Sequence, residues 1–125
     1  VKLLNNFLGM TTANCVAEIY AAADLAGVDR QAVYNVISAG PLHSMMMDFV
    51  SDYALKGKAD ALEFSIRNGA KDMGYYARML ADAGASSAIA DCPVAVMTAA
   101  VDAGHGDDMV PLMLNHYLDR FADRD

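Results

Sequence analysis

The sequence is short of basic residues and of long apolar runs, and each shortage excludes a class of protein. Nine lysines and arginines stand against sixteen aspartates and glutamates, so the formal net charge is −7. A nucleic-acid-binding surface needs clustered basic residues, and we therefore expect no nucleic-acid partner. No apolar stretch reaches the ~20 residues of a membrane span, and no segment has the pattern of a targeting peptide. We expect no membrane partner and a cytoplasmic location.

Cysteine is also scarce, and histidine is scattered. Cys15 and Cys92 lie on separate predicted helices without paired spacing, which favours two buried free thiols over a disulfide. The three histidines have no His-x3-His or Cys-x2-Cys neighbours, so no metal site is predicted. We expect His43 and His105 to lie in solvated loops. His116, on the last predicted helix, is expected to pack or to face water.

What the sequence does have is a helical period of apolar residues, which make up 55% of the chain. No segment alternates in twos, so we predict no sheet and a single all-α bundle of about six helices with a long first helix. The first four predicted helices run from Lys2 to about Ala26, from Arg30 to about Ser38, from about Ser44 to Leu55, and from near Ser65 to Ala83. We expect Asp91 to cap the fifth helix, with Pro93 in its first turn. We expect Asp107 or Asp108 to cap the sixth, and the last residues, Asp123, Arg124 and Asp125, to fray.

The start of the first helix holds the first candidate site. Lys2 and Asn6 are four residues apart, so they share one face of the helix. This places a proton donor and a fixed amide at the same point, a pair suited to an oxygen that gains or loses a proton. An exposed lysine at a polar helix start has the same spacing, so the spacing alone leaves both interpretations open.

The second candidate stretch runs from Phe64 to Gly74. Lys71 and Asp72 are adjacent and point about 100° apart on a helix, so one can face a ligand while the other bonds within the protein. Gly69 and Gly74 each cost about 1 kcal/mol relative to alanine inside a helix. We expect another backbone or a ligand to approach closely at these glycines.

Together the two stretches resemble the β-hydroxyacid dehydrogenase family, which includes 3-hydroxyisobutyrate dehydrogenase and tartronate semialdehyde reductase. The resemblance rests on the Lys-x-x-Asn-Asn start of the long helix and on Phe-x6-Lys-Asp about 70 residues later. It extends to the small-residue run 17–23 and the turn 26–29, and in element order it covers essentially the whole chain. It implies that residues 1–125 are a C-terminal helical domain, similar to that of 6-phosphogluconate dehydrogenase.

The resemblance also implies roles for particular residues. Lys2 matches the catalytic lysine that exchanges a proton with the substrate oxygen. Asn6 matches the substrate-holding asparagine, and Asn5 is its neighbour in the substrate-binding motif. Lys71 matches a lysine that reaches the cofactor, whereas Asp72 is expected to be structural. The implied substrate is a small β-hydroxyacid or its carbonyl acid, and the implied assembly is a homodimer or homotetramer.

The implied cofactor is NAD or NADP, bound mainly by an N-terminal dinucleotide-binding domain that this sequence lacks. No Gly-x-Gly-x-x-Gly turn occurs anywhere in it, so we expect the chain alone to be inactive. The alternative is a stand-alone helical homodimerisation module without catalysis. Apolar residues spread around the first helix favour that alternative, whereas Lys2 and Asn6 on one face do not.

Overall fold

Helices account for most of the chain in a computed structural model, which describes residues 1–123. Within that range there are no strands, only an isolated bridge between Ser65 and Met109, and the all-α prediction is confirmed. The expected fraying of Arg124 and Asp125 lies outside the described residues. The α-helices are α1 (Lys2–Ala26), α2 (Arg30–Ser38), α3 (Met45–Lys56), α4 (Ile66–Asp82), α5 (Ala88–Ala100) and α6 (Met113–Ala122).

Helix α1 is the central element of the bundle. It is about 37 Å long at 1.5 Å per residue, and it contacts each of the other five α-helices. Gly27 ends it with a left-handed backbone (φ 74°), directly after the predicted last residue, Ala26. Small side chains on its inner face let neighbouring helices approach closely. The buried apolar residues of α1 are Met10, Ala13, Ala17, Tyr20, Ala21 and Ala23.

Side-chain caps fix the starts of α2, α3 and α4 close to the predicted positions. Asp29 accepts a hydrogen bond from the backbone N–H of Ala32, and Ser44 and Ser65 cap α3 and α4 in the same way. Each cap satisfies an amide that the first helical turn leaves without a partner. These three boundaries are therefore set by local sequence.

The predicted start of α5 is wrong. Ser87, not Asp91, is the N-cap, and its hydroxyl accepts from the Ala90 N–H at 3.1 Å. The small residues after Ser87 are good helix formers rather than a connector, so the helix begins one turn earlier. Pro93 consequently lies inside α5 instead of in its first turn, and it cannot donate a hydrogen bond to the Ile89 carbonyl.

The predicted start of the last helix is also wrong, because neither Asp107 nor Asp108 caps it. Helix α5 continues into a π-helical turn (Val101–His105), and a 3-10 turn (Val110–Leu112) precedes α6. The segment between these turns is held by the start of α4. The Ile66 N–H donates to the Asp108 carbonyl, and the Arg67 N–H donates to the Gly106 carbonyl, both at 2.8 Å. This long-range pairing uses α4's free amides and keeps the segment non-helical.

Two buried polar pairs hold α1 against its neighbours. Tyr20 and Ser51 share a 2.6 Å hydrogen bond between α1 and α3, and the Tyr117 hydroxyl donates to Asn14 at 2.8 Å between α6 and α1. Burial raises the pKa of Tyr117 well above its usual range.

Within residues 1–123, no helix is long and apolar enough to cross a bilayer.

Candidate functional site

The start of α1 and the middle of α4 meet at a hydrogen bond between two polar side chains. The Asn6 Nδ2 donates to the Asp72 Oδ2 at 2.7 Å. Asp72 is only 8% exposed, and Asn6 is half-buried. A buried carboxylate is costly unless it is hydrogen-bonded, so this contact satisfies Asp72 and restrains Asn6 at the same time.

Close packing one turn deeper positions this pair. Met10, one turn beyond Asn6, contacts Gly69, one turn before Asp72, so α1 and α4 are antiparallel here. A Cβ on Gly69 would lie 3.0 Å from the Met10 Sδ and would overlap the Met97 methyl group. The expected close approach therefore exists at Gly69, but methionine side chains make it rather than a backbone or a ligand. At Gly74 the expectation is wrong, since a Cβ there would meet nothing within 4 Å.

An aromatic stack beside the pair is a contact that the sequence reasoning missed. The rings of Phe7 and Tyr76 lie parallel, with centroids 4.2 Å apart and planes inclined by 1°. Phe7 follows Asn6, and Tyr76 is one turn after Asp72, so the stack ties together the same two helices. The stack depends on how α1 and α4 pair. Nothing in the local sequence specifies that pairing.

The two candidate lysines are exposed on the same two helices. Lys2 forms the first residue of α1, one turn before Asn6, and Lys71 precedes Asp72 on α4. Neither makes a hydrogen bond or ion pair with any residue in the described range. As expected from their 100° separation on the helix, Lys71 is exposed and Asp72 is buried. Both lysines thus remain available to a ligand.

Asn5 completes the polar cluster at the start of α1. Its Nδ2 donates a long, exposed hydrogen bond of 3.4 Å to the Asn6 Oδ1. The structure therefore brings Asn6 together with Asp72 and Asn5, and it leaves Lys2 and Lys71 without protein partners among residues 1–123.

This arrangement fixes the orientation of the Asn6 side-chain amide. A carboxylate only accepts hydrogen bonds, so Asp72 requires the NH2 end of Asn6 to face it. One of the two Asn6 N–H groups is used by Asp72, and the second has no acceptor among residues 1–123. The oriented amide can bind an oxygen, and the exposed ammonium group one turn away can exchange a proton with that oxygen.

The cysteines and histidines lie outside this cluster. Cys15 and Cys92 are free, as predicted, but both are exposed, so the prediction of burial is wrong. Both line a cavity between α1, α5 and α6. Within residues 1–123, no group of three potential ligands is arranged to hold a metal ion.

The three histidines have different surroundings. His43 is exposed in the α2–α3 loop and pairs with Asp48 at 2.9 Å. His105 lies in the π-helical turn rather than in a loop, and pairs with Asp108 at 3.1 Å. His116 is packed on α6 with 8% of its surface exposed. Burial lowers the pKa of His116, and the Arg120 charge adds to this effect.

Comparison with known proteins identifies the fold and the family. No curated protein matches the chain. A 3-hydroxyisobutyrate dehydrogenase from Salmonella typhimurium has the same fold, with a TM-score of 0.85 and 21% identity over 93% of this chain. The Mycobacterium tuberculosis 3-hydroxyisobutyrate dehydrogenase has a TM-score of 0.71 and 19% identity over 92% of this chain. The chain spans 40% and 41% of these two structures.

The family model described as the NAD-binding of NADP-dependent 3-hydroxyisobutyrate dehydrogenase matches residues 1–117. The match includes α1 through α5 and the first half of α6, with both residues of the Asn6–Asp72 pair. This chain belongs to the NAD-binding domain family of NADP-dependent 3-hydroxyisobutyrate dehydrogenase.

Proposed function

We propose that the protein carrying this chain is an NAD(P)-dependent oxidoreductase that interconverts a small β-hydroxyacid and its carbonyl acid. Residues 1–125 are its helical C-terminal domain, and a dinucleotide-binding domain precedes them. Family membership supports the reaction class. The observation that carries the proposal is the hydrogen bond from Asn6 to the buried Asp72, which holds an amide donor on the face of α1 that also carries Lys2.

Lys2 is the proton-exchanging group of this proposal. It gives a proton to the substrate oxygen during reduction and removes one during oxidation. The exposed position of its side chain and its lack of a partner among the described residues support this role. A lysine already held in an ion pair would have to break that contact before it could reach a substrate.

Asn6 orients the substrate with the N–H that Asp72 does not use. Asn5, which donates to the Asn6 oxygen, lies at the substrate-facing start of the helix. Asp72 is a positioning residue, since it acts on the substrate only through Asn6. An amide fixed before the substrate arrives loses little conformational freedom on binding, which favours the productive geometry.

Lys71 contributes to the cofactor side of the site. Among residues 1–123 it is an exposed cation without an acidic partner, and such a group fits an anionic ligand such as a dinucleotide. When bound, NAD or NADP supplies or accepts the hydride at the substrate carbon. The remaining phosphate contacts come from the preceding domain, where the residues that distinguish NAD from NADP also lie.

A second candidate function, homodimerisation, is favoured by the outer face of α1. Leu4 and Leu8 are 55% and 68% exposed, and Cys15 and Ile19 continue the same stripe. Their spacings of four and seven residues place them on one face of the helix, opposite its buried face. A solvent-facing apolar stripe of this length is typical of an interface between subunits. It is compatible with the enzyme and also with an association module that does no chemistry.

Activity of the longer protein tests the proposal directly. The protein carrying this chain is incubated with NAD or NADP and a panel of small β-hydroxyacids, and the reduced nicotinamide is followed by absorbance. We expect turnover with at least one β-hydroxyacid and none with the matching α-hydroxyacid. Dimer formation without turnover on any member of the panel would leave the association module as the function.

A further inference from the structure

A cavity of about 500 Å³ lies between α1, α5 and α6, separate from the Asn6–Asp72 pair. Its volume is within the range of about 300–1,000 Å³ that is usual for small-molecule sites. None of the residues assigned above to the reaction lines it. Its walls include Pro93, Val96 and Ala99 from α5, and these form an apolar surface.

His116 is a buried polar side chain on this cavity, and it makes no hydrogen bond with any residue in the described range. It is 8% exposed, and its ring forms an edge-on contact with the ring of Tyr117, at a centroid distance of 5.8 Å. The hydroxyl of Tyr117 is already used by Asn14. Thr11 Oγ1 is the one fully enclosed side-chain N or O atom without a partner in the described range. The His116 nitrogens therefore reach accessible space, and the cavity supplies that space.

The His116 nitrogens have no hydrogen-bond partner among residues 1–123, so they need one in the accessible space that they reach. Burial lowers the pKa of His116, so near neutral pH the ring is uncharged. A neutral imidazole has one N–H donor and one nitrogen acceptor. A polar group bound in the cavity would meet this requirement, and so would ordered water.

Two opposite charges lie on the same cavity. Glu18 belongs to α1 and Arg120 to α6; both side chains are exposed, and neither forms an ion pair with a residue in the range 1–123. An anion alone would meet Arg120 but would be repelled by Glu18, and a cation alone would have the opposite problem. A zwitterion matches both charges.

We propose that this cavity binds a small zwitterion with an apolar side chain, that is, an apolar α-amino acid. The carboxylate pairs with Arg120 and accepts from His116, the ammonium group pairs with Glu18, and the side chain packs on Pro93 and Val96. The site is independent of the proposed reaction. It gives the helical domain a second ligand that does not compete for Lys2 or Asn6.

The test is a titration of the 15N-labelled chain followed by NMR, with three probes of matched shape. L-leucine carries both charges, isocaproate lacks the ammonium group, and isoamylamine lacks the carboxylate. We expect saturable shifts at residues lining the cavity, including the His116 ring, with leucine binding most tightly. Loss of one exposed ion pair predicts about 2- to 5-fold weaker binding for each analogue.

Charge-neutral variants locate the contacts. Glu18→Gln should weaken leucine binding and leave isocaproate binding unchanged, whereas Arg120→Gln should weaken both. Both residues are exposed, so the variants are expected to fold, and Arg78→Gln on α4 is the matched control. The proposal is overturned if leucine gives no saturable shift up to ~10 mM, which leaves water on His116. It is equally overturned if the cavity signals change only with protein concentration, which assigns the face to a second copy.

Discussion

The amide of Asn6 donates a 2.7 Å hydrogen bond to the carboxylate of Asp72, across the antiparallel contact between α1 and α4. The two residues are 66 positions apart in sequence. Asp72 is buried and Asn6 is half-buried, so the contact is partly shielded from competing water. Asp72 thereby decides which end of the Asn6 amide faces α4.

Replacing Asp72 with asparagine should impair the enzyme through Asn6. An asparagine can present its own NH2 group to Asn6, so the amide is no longer held in one orientation. We expect kcat/KM of the longer protein to fall about 10- to 100-fold and stability to fall by about 1–3 kcal/mol. Steady-state kinetics and urea unfolding measure the two effects. Asp82→Asn, on the exposed end of the same helix, is the control; equal losses for both variants would rule out a positioning role for Asp72.

The packing beneath this pair predicts opposite effects for two glycines on one helix. A methyl group at Gly69 would press on Met97, which is fully buried and cannot move aside into solvent. We expect Gly69→Ala to destabilise the chain by about 1–3 kcal/mol. Gly74→Ala meets no neighbour within 4 Å and should stabilise it by up to about 1 kcal/mol. Urea unfolding of both variants checks the prediction. A stabilised Gly69→Ala variant would show that the Met97 side chain has room to move away from the added methyl group.

The helix boundaries could be predicted from sequence where they depend on a local signal. Asp29, Ser44 and Ser65 cap their helices, and Gly27 ends α1, because these effects depend on residues within one turn. The start of α5 was not readable, because Ser87 and Asp91 are both good caps and only the helix-forming residues between them decide. The break before α6 could not be predicted because it depends on backbone hydrogen bonds with the start of α4, which is distant in sequence.

The candidate site divides in the same way. Periodicity placed Lys2 with Asn6 and separated Lys71 from Asp72, since both statements concern one helix. The partner of Asn6 and the Phe7–Tyr76 stack depend on how α1 and α4 pair, and no local pattern encodes that register. The exposure of Cys15 was missed because α1 is apolar on its outer face as well as its inner one.

His116 predicts a pH dependence of stability with a definite sign. Burial lowers its pKa in the folded chain, so the unfolded chain binds the proton more tightly. Stability from the neutral ring is therefore fully present above the unfolded pKa of about 6.5 and is lost as the pH falls below it. We expect wild type to lose more stability than His116→Gln between about pH 7.5 and pH 5.5. Denaturant unfolding at the two pH values tests this, and identical losses would contradict it.

The outer stripe of α1 predicts a subunit interface. Leu8→Lys places a charge at its most exposed leucine and should raise the dimer dissociation constant about 10- to 100-fold, because each copy loses a buried leucine. Sedimentation or light scattering over a dilution series measures the change. Val36→Lys alters an equally exposed apolar residue on α2 and should leave the dimer intact. A wild-type protein that stays monomeric at all concentrations would refute the interface.

The most direct test of the central claim is the kcat/KM of Lys2→Ala in the longer protein, assayed with NAD(P) and its best β-hydroxyacid. Lys58→Ala, an exposed lysine in the loop before α4, is the matched control, and unfolding curves establish that both variants fold. If Lys2 exchanges the substrate proton, kcat/KM falls about 100- to 10,000-fold for Lys2→Ala and is unchanged for Lys58→Ala. Wild-type activity in Lys2→Ala would contradict the proposed site.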